Sequence, residues 1–328
     1  MRTALIMFPT SEGDSLYHLM TRTVNGEFLF DDTDKEMLRK IIIQVADYCG
    51  VDALTYALLC NHLHLLLMIF RAAPVADAEL LRRYGVLYPT PTKYQAARLE
   101  VIQAQLETNG PEAVAWRQRQ LRLMGDVSSF MKLVKQRFTI WYNRTHHRFG
   151  TLWAERYKSV LLENDAPAIL PTAVYIDLNA VRAGIVEDPK DYHFCGYAAA
   201  VAGDLRAQRG IMAITRCATW ADAQAVYRQV MFGTAAGARE HGKVLSVEAF
   251  EKVAKEGGKL PLATVLRCRL RYLTATAVLG SRLFVEAQLA AYRRNTGLRL
   301  NRGPRPLPGF TDWKGLVALR GLRRRAFT

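Results

Sequence analysis

Two histidines lie one residue apart in an apolar run of this chain. His62 and His64 fall within residues 57–70, whose sequence is ALLCNHLHLLLMIF. Successive side chains of a β-strand point to opposite faces, so both imidazoles are predicted to share one face of a strand. Two imidazoles on one face can bind a metal ion together. A pair of histidines that are simply hydrogen-bonded inside a core gives the same pattern.

A tyrosine and an asparagine further along the chain add groups that suit phosphate chemistry. Tyr175 and Asn179 are four residues apart in a segment predicted to be a helix, so we expect them on the same helical face. Two neutral imidazoles and an amide oxygen form a site of low charge, suited to a divalent ion that also holds a phosphate oxygen. The phenol of Tyr175 can then attack that phosphate. A buried core tyrosine is the alternative interpretation.

Two neighbouring residues bear on this arrangement. Pro171 lies four residues before Tyr175, and a proline inside a helix removes one hydrogen bond and kinks the helix. Either two short helices meet there, with Thr172 starting the second, or the tyrosine is aimed differently. Asp177 is two residues from Asn179 and would point away from it on a helix, so Asn179 is the preferred metal ligand.

The elements that must position these residues can be predicted from periodicity and turn signals. A strand over residues 17–24 ends at the turn Asn25-Gly26, and a helix follows with a capping box of Thr33 and Glu36 and a stop at Gly50. The histidine strand is expected directly after Gly50. The later predicted elements are a helical insertion at about 72–126, a helix capped by Ser128 or Ser129, a strand over 151–162 and a helix opening at Asp165.

The net charge of +15 is concentrated in the C-terminal part of the chain. Residues 201–328 hold 23 Lys and Arg against 8 Asp and Glu, whereas residues 1–200 hold 22 of each sign. A cationic region of this kind is typical of a polyanion partner, nucleic acid first and an anionic membrane surface second. A solubilising surface is the simpler alternative.

Other features of the composition restrict the class of protein. The five cysteines are odd in number, widely spread and without a CxxC pair, which argues against a disulfide framework and a zinc knuckle. No apolar run reaches the ~18 to 20 residues of a membrane span, and no secretory leader is recognisable. We therefore expect a globular cytoplasmic protein with no membrane partner.

Four motifs in order resemble those of one enzyme family. CNHLHLLL resembles PNHxHLL, and YIDLNAVRAG resembles Y-I-x-x-N-P-V-R-A-G, of the REP-associated tyrosine transposases, a branch of the single-tyrosine HUH transposases. The opening YHLMTR and the stretch GTLWAERYKS extend the resemblance over roughly residues 15–200. Cys60 and Ala180 stand where the family usually has proline, and both lie outside the proposed chemistry.

The resemblance implies a fold, an activity and a role for each motif residue. It implies an α+β fold on an antiparallel, ferredoxin-like sheet over residues 1–200, followed by a basic, mainly helical accessory region over 201–328 that holds DNA. His62, His64 and Asn179 would bind Mg²⁺ or Mn²⁺, and Tyr175 would attack the scissile phosphate. The product would be a covalent 5′-phosphotyrosine.

The partner implied by the family is single-stranded or hairpin DNA, bound by a monomer or homodimer. The sequence offers four cations as generic phosphate contacts, namely Arg156, Lys158, Lys132 and Lys135. His146, His147 and His193 are spare candidates expected in loops. The alternatives are a DNA-binding protein that keeps the fold without cleavage, and an unrelated metal hydrolase that uses His62 and His64 with water as the nucleophile.

Overall fold

The fold is centred on a mixed β-sheet, described here from a computed structural model that covers residues 6–89, 98–233, 260–267, 270–297, 303–307 and 311–320. Within these residues seven strands form one sheet, in the order β2-β3-β1-β4-β5-β7-β6. The strands are β1 (Ser15–Arg22), β2 (Val51–Leu58), β3 (His62–Ile69), β4 (Lys158–Leu162), β5 (Thr276–Gly280), β6 (Arg305–Pro306) and β7 (Val317–Arg320).

Helices flank the sheet and fill the connections between strands. Between β1 and β4 lie α1 (Asp32–Cys49), α2 (Asp77–Leu87), α3 (Leu99–Glu107), α4 (Pro111–Leu121) and α5 (Val127–Thr145). Between β4 and β5 lie α6 (Ala166–Asp177), α7 (Asn179–Arg182), α8 (Gly196–Val201), α9 (Leu205–Thr215), α10 (Trp220–Phe232), α11 (Leu262–Leu266) and α12 (Arg271–Thr274), and α13 (Arg282–Thr296) follows β5. The chain is therefore an α+β protein.

The expectation of an antiparallel sheet is wrong at one pairing, because β4 and β5 run parallel. Parallel strands need a long crossover, and the helices from α6 to α12 supply it. The C-terminal region, which was expected to be mainly helical, contributes β5, β6 and β7 to the same sheet. Its short apolar strand at β5 resembles many helical segments in sequence, so periodicity alone could not identify it.

The segment after Gly50 forms two strands, whereas the sequence predicted one. β2 and β3 pair as an antiparallel hairpin, and the backbone N–H of Leu59 donates to the carbonyl of His62 at 2.8 Å across the turn. Both strands are buried on both faces over most of their length, so the polar residues that normally mark a hairpin are few. The pair of histidines begins the second strand.

The caps of two helices also differ from those predicted. Asp31 caps α1 and forms a capping box with Asp34, in place of Thr33 and Glu36, because the helix begins two residues earlier. Asp126 caps α5, in place of Ser128 or Ser129. Gly50 ends α1 in the left-handed conformation, with φ of 64°, as predicted.

The predicted strand over residues 151–162 is shorter in the structure. Only Lys158–Leu162 form β4, and Trp153 contributes a single bridge to Thr23. Between β3 and α5, three helices carry a small core of their own, formed by Leu80, Ile102, Leu106, Ala113 and Trp116. Among the described residues no helix is long and apolar enough to cross a membrane.

A buried carboxylate attaches α6 to its surroundings. Asp177 is fully buried at the end of α6 and accepts hydrogen bonds from the Thr55 hydroxyl on β2, the Tyr197 backbone N–H on α8 and the Tyr227 hydroxyl on α10. Burial raises the pKa of Asp177 to about 6, although these three donors act in the opposite direction. One side chain therefore connects the helix to three other elements.

The stability of the protein is expected to fall as Asp177 ionises. Its pKa in the folded state, about 6, lies above the ordinary value of 3.8, so the folded state binds the proton more tightly than the unfolded state does. The contribution is present in full below pH 4 and is lost as the pH rises through about 6. Between pH 4.5 and pH 7 we expect a loss of about 2 kcal/mol, since one pKa unit corresponds to about 1.4 kcal/mol.

Urea unfolding of the wild type and of Asp177→Asn at several pH values measures this loss. The variant has no carboxyl group to titrate, so the difference in unfolding free energy between the two proteins should change with pH. Parallel pH profiles would contradict the assignment.

Candidate active site

The two histidines of β3 share a face of the sheet, as their spacing predicted. In the register of the strands, His62 lies opposite Arg22, and His64 lies opposite Met20 on β1 and Ala57 on β2. The two ring centroids are 5.4 Å apart. His64 is buried and His62 is partly exposed at the start of the strand.

Both histidines are held through their Nδ1 atoms. The Nδ1 of His62 lies 2.6 Å from the side-chain oxygen of Asn61, whose amide nitrogen donates to the carbonyl of Gly26 at 2.9 Å. The Nδ1 of His64 lies 2.8 Å from the Nε2 of His18 on β1, and the Nδ1 of His18 lies 3.0 Å from the carbonyl of Leu273. A third histidine therefore belongs to the site.

His18 was not among the predicted site residues. It lies in the YHLMTR strand, and the parity of β1 places it on the face that carries His64, since Met20 is opposite His64. Burial lowers the pKa of His18 to about 4, and the nearby positive charge of Arg182 acts in the same direction. His18 is thus a neutral, fully buried imidazole. The only sequence signal was its position in the predicted strand over residues 17–24.

Tyr175 projects from α6 toward this group of histidines. Its ring centroid lies 6.4 Å from that of His64 and 6.5 Å from that of His18. The guanidinium carbon of Arg182 lies 3.7 Å from the Tyr175 ring centroid, within cation–π distance. Arg182 also donates to the carbonyl of Tyr175 at 2.7 Å and to the carbonyl of Leu266 at 3.0 Å. The phenol ring is therefore fixed between an arginine and two imidazoles.

Pro171 does not interrupt the helix that carries Tyr175. α6 runs continuously through it, so the expectation that two short helices meet at this position is wrong. The hydroxyl of Thr172 donates to the carbonyl of Ala168 at 2.8 Å, beside the position where proline has no N–H to offer.

The helix ends instead between Tyr175 and Asn179. α6 finishes at Asp177 and α7 begins at Asn179, so the two residues lie on consecutive helices rather than on one face of a single helix. Asn179 is 8% exposed, and its amide nitrogen has no hydrogen-bond partner among the described residues. The carboxylate of Asp177, the rejected alternative ligand, is bound by donors from three other elements.

The predicted metal ligands are His62, His64 and Asn179, and the structure brings the two imidazoles together. The described residues contain no group of three or more His, Cys, Asp or Glu that could hold a metal ion. The set predicted from the sequence has two histidines and one asparagine, so only two of its members belong to these four residue types. The Asn179 atom without a hydrogen-bond partner is the amide nitrogen, which is a donor, so only the side-chain oxygen could serve as a metal ligand.

The four cations predicted to contact phosphate occupy different environments. Met20 on β1 lies between His64 on β3 and Lys158 on β4. Lys158 is therefore on the same face of the sheet as His64, two strands away. Arg156 and Lys132 are exposed. Lys135 is partly buried, and its ammonium donates to the carbonyl of Glu155 at 2.7 Å. Burial lowers the pKa of Lys135 to about 8.

The spare histidines lie apart from the pair on β3. The Nε2 of His146 is 2.7 Å from a carboxylate oxygen of Asp34, at the end of α5. His147 and His193 are exposed.

Replacing Pro171 by alanine should stabilise the protein. Alanine restores the N–H donor inside α6 and removes the ring that crowds the preceding turn, a cost of about 3 kcal/mol in helix interiors. The greater freedom of the unfolded chain offsets about 0.4 to 1 kcal/mol of the cost of about 3 kcal/mol, so we expect a net gain of about 2 to 2.6 kcal/mol. Urea unfolding measures this gain.

Pro167→Ala provides the matched control for this measurement. Pro167 lies in the first turn of the same helix, where the missing N–H has no partner to lose, so its replacement should stabilise nothing. Equal effects of the two substitutions would contradict the prediction.

Comparison with known proteins gives a structural similarity and no match in sequence. No family model matches the sequence, and neither does any curated protein. The chain is similar to a solved structure described as "Structure of the REP associates tyrosine transposase bound to a REP hairpin". The two sequences are 16% identical, the TM-score is 0.39, and the alignment covers 62% of this chain and 88% of the other.

Proposed function

We propose that this chain is a metal-dependent transposase or endonuclease that cleaves and rejoins single-stranded hairpin DNA through a phosphotyrosine intermediate. The observation that carries the proposal is the position of Tyr175, whose ring lies 6.4 Å from His64, which in turn lies 5.4 Å from His62. The motifs that contain these residues are distant in sequence and meet in space. A phenol beside two imidazoles is the arrangement that a tyrosine nucleophile at a metal-held phosphate requires.

The reaction transfers a phosphodiester from a sugar to the tyrosine. The Tyr175 hydroxyl attacks phosphorus, a phosphorus–oxygen bond to the phenol forms, and the bond to the 3′ oxygen breaks. The phenolic proton leaves for solvent, and the departing 3′ oxygen takes up a proton to become a hydroxyl. In the rejoining step a 3′ hydroxyl attacks the phosphotyrosine, so the number of phosphodiester bonds is conserved and no nucleotide cofactor is needed.

His62, His64 and Asn179 are the residues that would hold Mg²⁺ or Mn²⁺. When bound, such an ion polarises the phosphate and neutralises the charge that develops on it. The protein's contribution is to hold the groups in place before DNA binds: β3 fixes both imidazoles, and Arg182 fixes the phenol.

Access to the nucleophile is restricted. Tyr175 is only 3% exposed, with Arg182 over its ring and the imidazoles of His18 and His64 nearby. We expect a covering side chain to shift when DNA binds, while α6 keeps the phenol in position.

A covalent-adduct assay tests the chemistry. The protein is incubated with Mn²⁺ and a pool of single-stranded hairpins labelled at the 3′ end, because the phosphotyrosine retains the 3′ fragment. A denaturing gel should show labelled protein for the wild type. Tyr175→Phe removes the nucleophilic oxygen, and we expect a complete loss of the adduct.

Tyr84→Phe is the matched control, because Tyr84 lies on α2 beside the small second core. It should form the adduct at the wild-type level. An adduct formed by Tyr175→Phe would contradict the proposal. Cleavage without any adduct would contradict it in favour of a hydrolase that uses water, and binding without cleavage would contradict it in favour of a non-catalytic DNA-binding protein.

The proposed DNA contacts predict a change in salt dependence. Arg156 and Lys158 are exposed, and Lys158 lies on the face of the sheet that carries His64. Each phosphate neutralised on a single strand contributes about 0.7 to the slope of log K against log salt. The double variant Arg156→Gln/Lys158→Gln should therefore lower the magnitude of that slope by about 1.4.

Fluorescence anisotropy with a hairpin at several salt concentrations measures the slope. Lys40→Gln on α1 is the control, because it removes an exposed lysine outside the proposed contacts. An unchanged slope in the double variant would rule out both residues as phosphate contacts.

A further inference from the structure

Each histidine of β3 is joined to a backbone carbonyl by a hydrogen-bond chain through one intervening side chain. One chain runs from the carbonyl of Gly26 through Asn61 to His62, and the other runs from the carbonyl of Leu273 through His18 to His64. A carbonyl oxygen can only accept, so each chain has a defined direction. The direction determines which ring nitrogen of each histidine carries a proton.

The first chain assigns the proton on His62. The Asn61 amide nitrogen donates to the carbonyl of Gly26 at 2.9 Å, which settles the orientation of the amide. Its oxygen therefore faces His62 at 2.6 Å and can only accept. The Nδ1 of His62 must be the donor, and in the neutral ring the lone pair lies on Nε2.

The second chain assigns the proton on His64 in the same way. The carbonyl of Leu273 requires a proton on the Nδ1 of His18. His18 is fully buried, and its two ring nitrogens contact a carbonyl and an imidazole rather than a carboxylate, an environment that favours the neutral ring. The Nε2 of His18 therefore has the lone pair and accepts from the Nδ1 of His64 at 2.8 Å. The lone pair of neutral His64 also lies on Nε2.

We infer that Asn61 and His18 are positioning residues that hold both histidines in the Nδ1–H tautomer, so that each presents its Nε2 lone pair to a divalent cation. This inference rests on the proposed function. The second chain also makes the C-terminal segment that ends at α12 a part of the centre, because it supplies the carbonyl of Leu273. A metal-binding histidine commonly donates its other N–H to a fixed acceptor, which orients the ring and raises its basicity.

A second contact from the same segment supports this role. The carbonyl of Leu266, at the end of α11, accepts from Arg182, the arginine that lies over the Tyr175 ring. Two carbonyls of one short segment therefore hold the two side chains that orient His64 and Tyr175. Leu266 and Leu273 therefore act on the centre through their backbone carbonyls.

Nitrogen NMR on the full-length, metal-free protein tests the tautomers directly. Long-range ¹H–¹⁵N correlations distinguish a ring protonated at Nδ1 from one protonated at Nε2. We expect His62 and His64 of the wild type to be Nδ1–H tautomers above the pH at which they are charged. An Nε2–H tautomer at either position would overturn the inference, and this measurement requires no variant to fold.

Binding of Mn²⁺ alone, followed by electron paramagnetic resonance, tests the consequence for the metal. His18→Leu removes the acceptor for His64, and we expect affinity to fall about 10- to 100-fold, the range typical of such outer partners. His18→Gln provides a side-chain oxygen that can accept from His64, so it should restore most of the affinity. Asn61→Ala should weaken binding through His62 in the same way.

His193→Leu is the matched control, because it removes an exposed histidine outside both chains. It should bind Mn²⁺ as the wild type does, and thermal unfolding confirms that each variant is folded. If folded His18→Leu binds Mn²⁺ with unchanged affinity while the wild type still forms the DNA adduct, the inference is overturned and the proposed function stands. If the wild type binds no Mn²⁺, both are overturned.

Discussion

The direction in which the Tyr175 side chain points depends on the buried carboxylate of Asp177. The two residues lie two positions apart on α6 and therefore point in different directions. Asp177 faces β2, α8 and α10 and accepts from each of them, while Tyr175 faces His18 and His64. A buried carboxylate without donors would be strongly destabilising, so these donors and α6 must take up their positions together. The orientation of the nucleophile follows from that requirement.

The proposed chemistry depends more on the positions of its side chains than on any unusual reactivity of those side chains. A phenol and two imidazoles are ordinary side chains, and their usefulness for phosphate transfer comes from fixed distances and fixed protons. In this protein the hydrogen-bond acceptors that hold the supporting side chains are largely backbone carbonyls, those of Gly26, Leu266 and Leu273. A carbonyl does not titrate, so the hydrogen-bond direction it imposes persists over a wide pH range.

The sequence predicted the parts of the site that local pattern determines. Strand parity placed His62 and His64 on one face, and the motifs named Tyr175, whose ring lies 6.4 Å from that of His64. The role of Asn179 stays a prediction. The sequence could not predict the contact of His18 with His64 or the carbonyl of Leu273, because a backbone group has no sequence signature and the pairing of β1 with β3 is a tertiary event. The parallel pairing of β4 with β5 was missed for the same reason. The end of α6 before Asn179 was missed because the expected break lay at Pro171.

The parallel pairing of β4 with β5 has a consequence for how the protein is made. Leu273 lies 255 residues after His18, and the strand that follows it joins the sheet beside β4. A ribosome releases the histidines and the tyrosine well before it releases this segment. Contacts of such sequence separation form late in folding, since the intervening chain must first be ordered. Under the proposed function, a nascent or prematurely terminated chain would contain the reactive side chains without their supports, so an unfinished copy of a DNA-cutting protein would remain inactive.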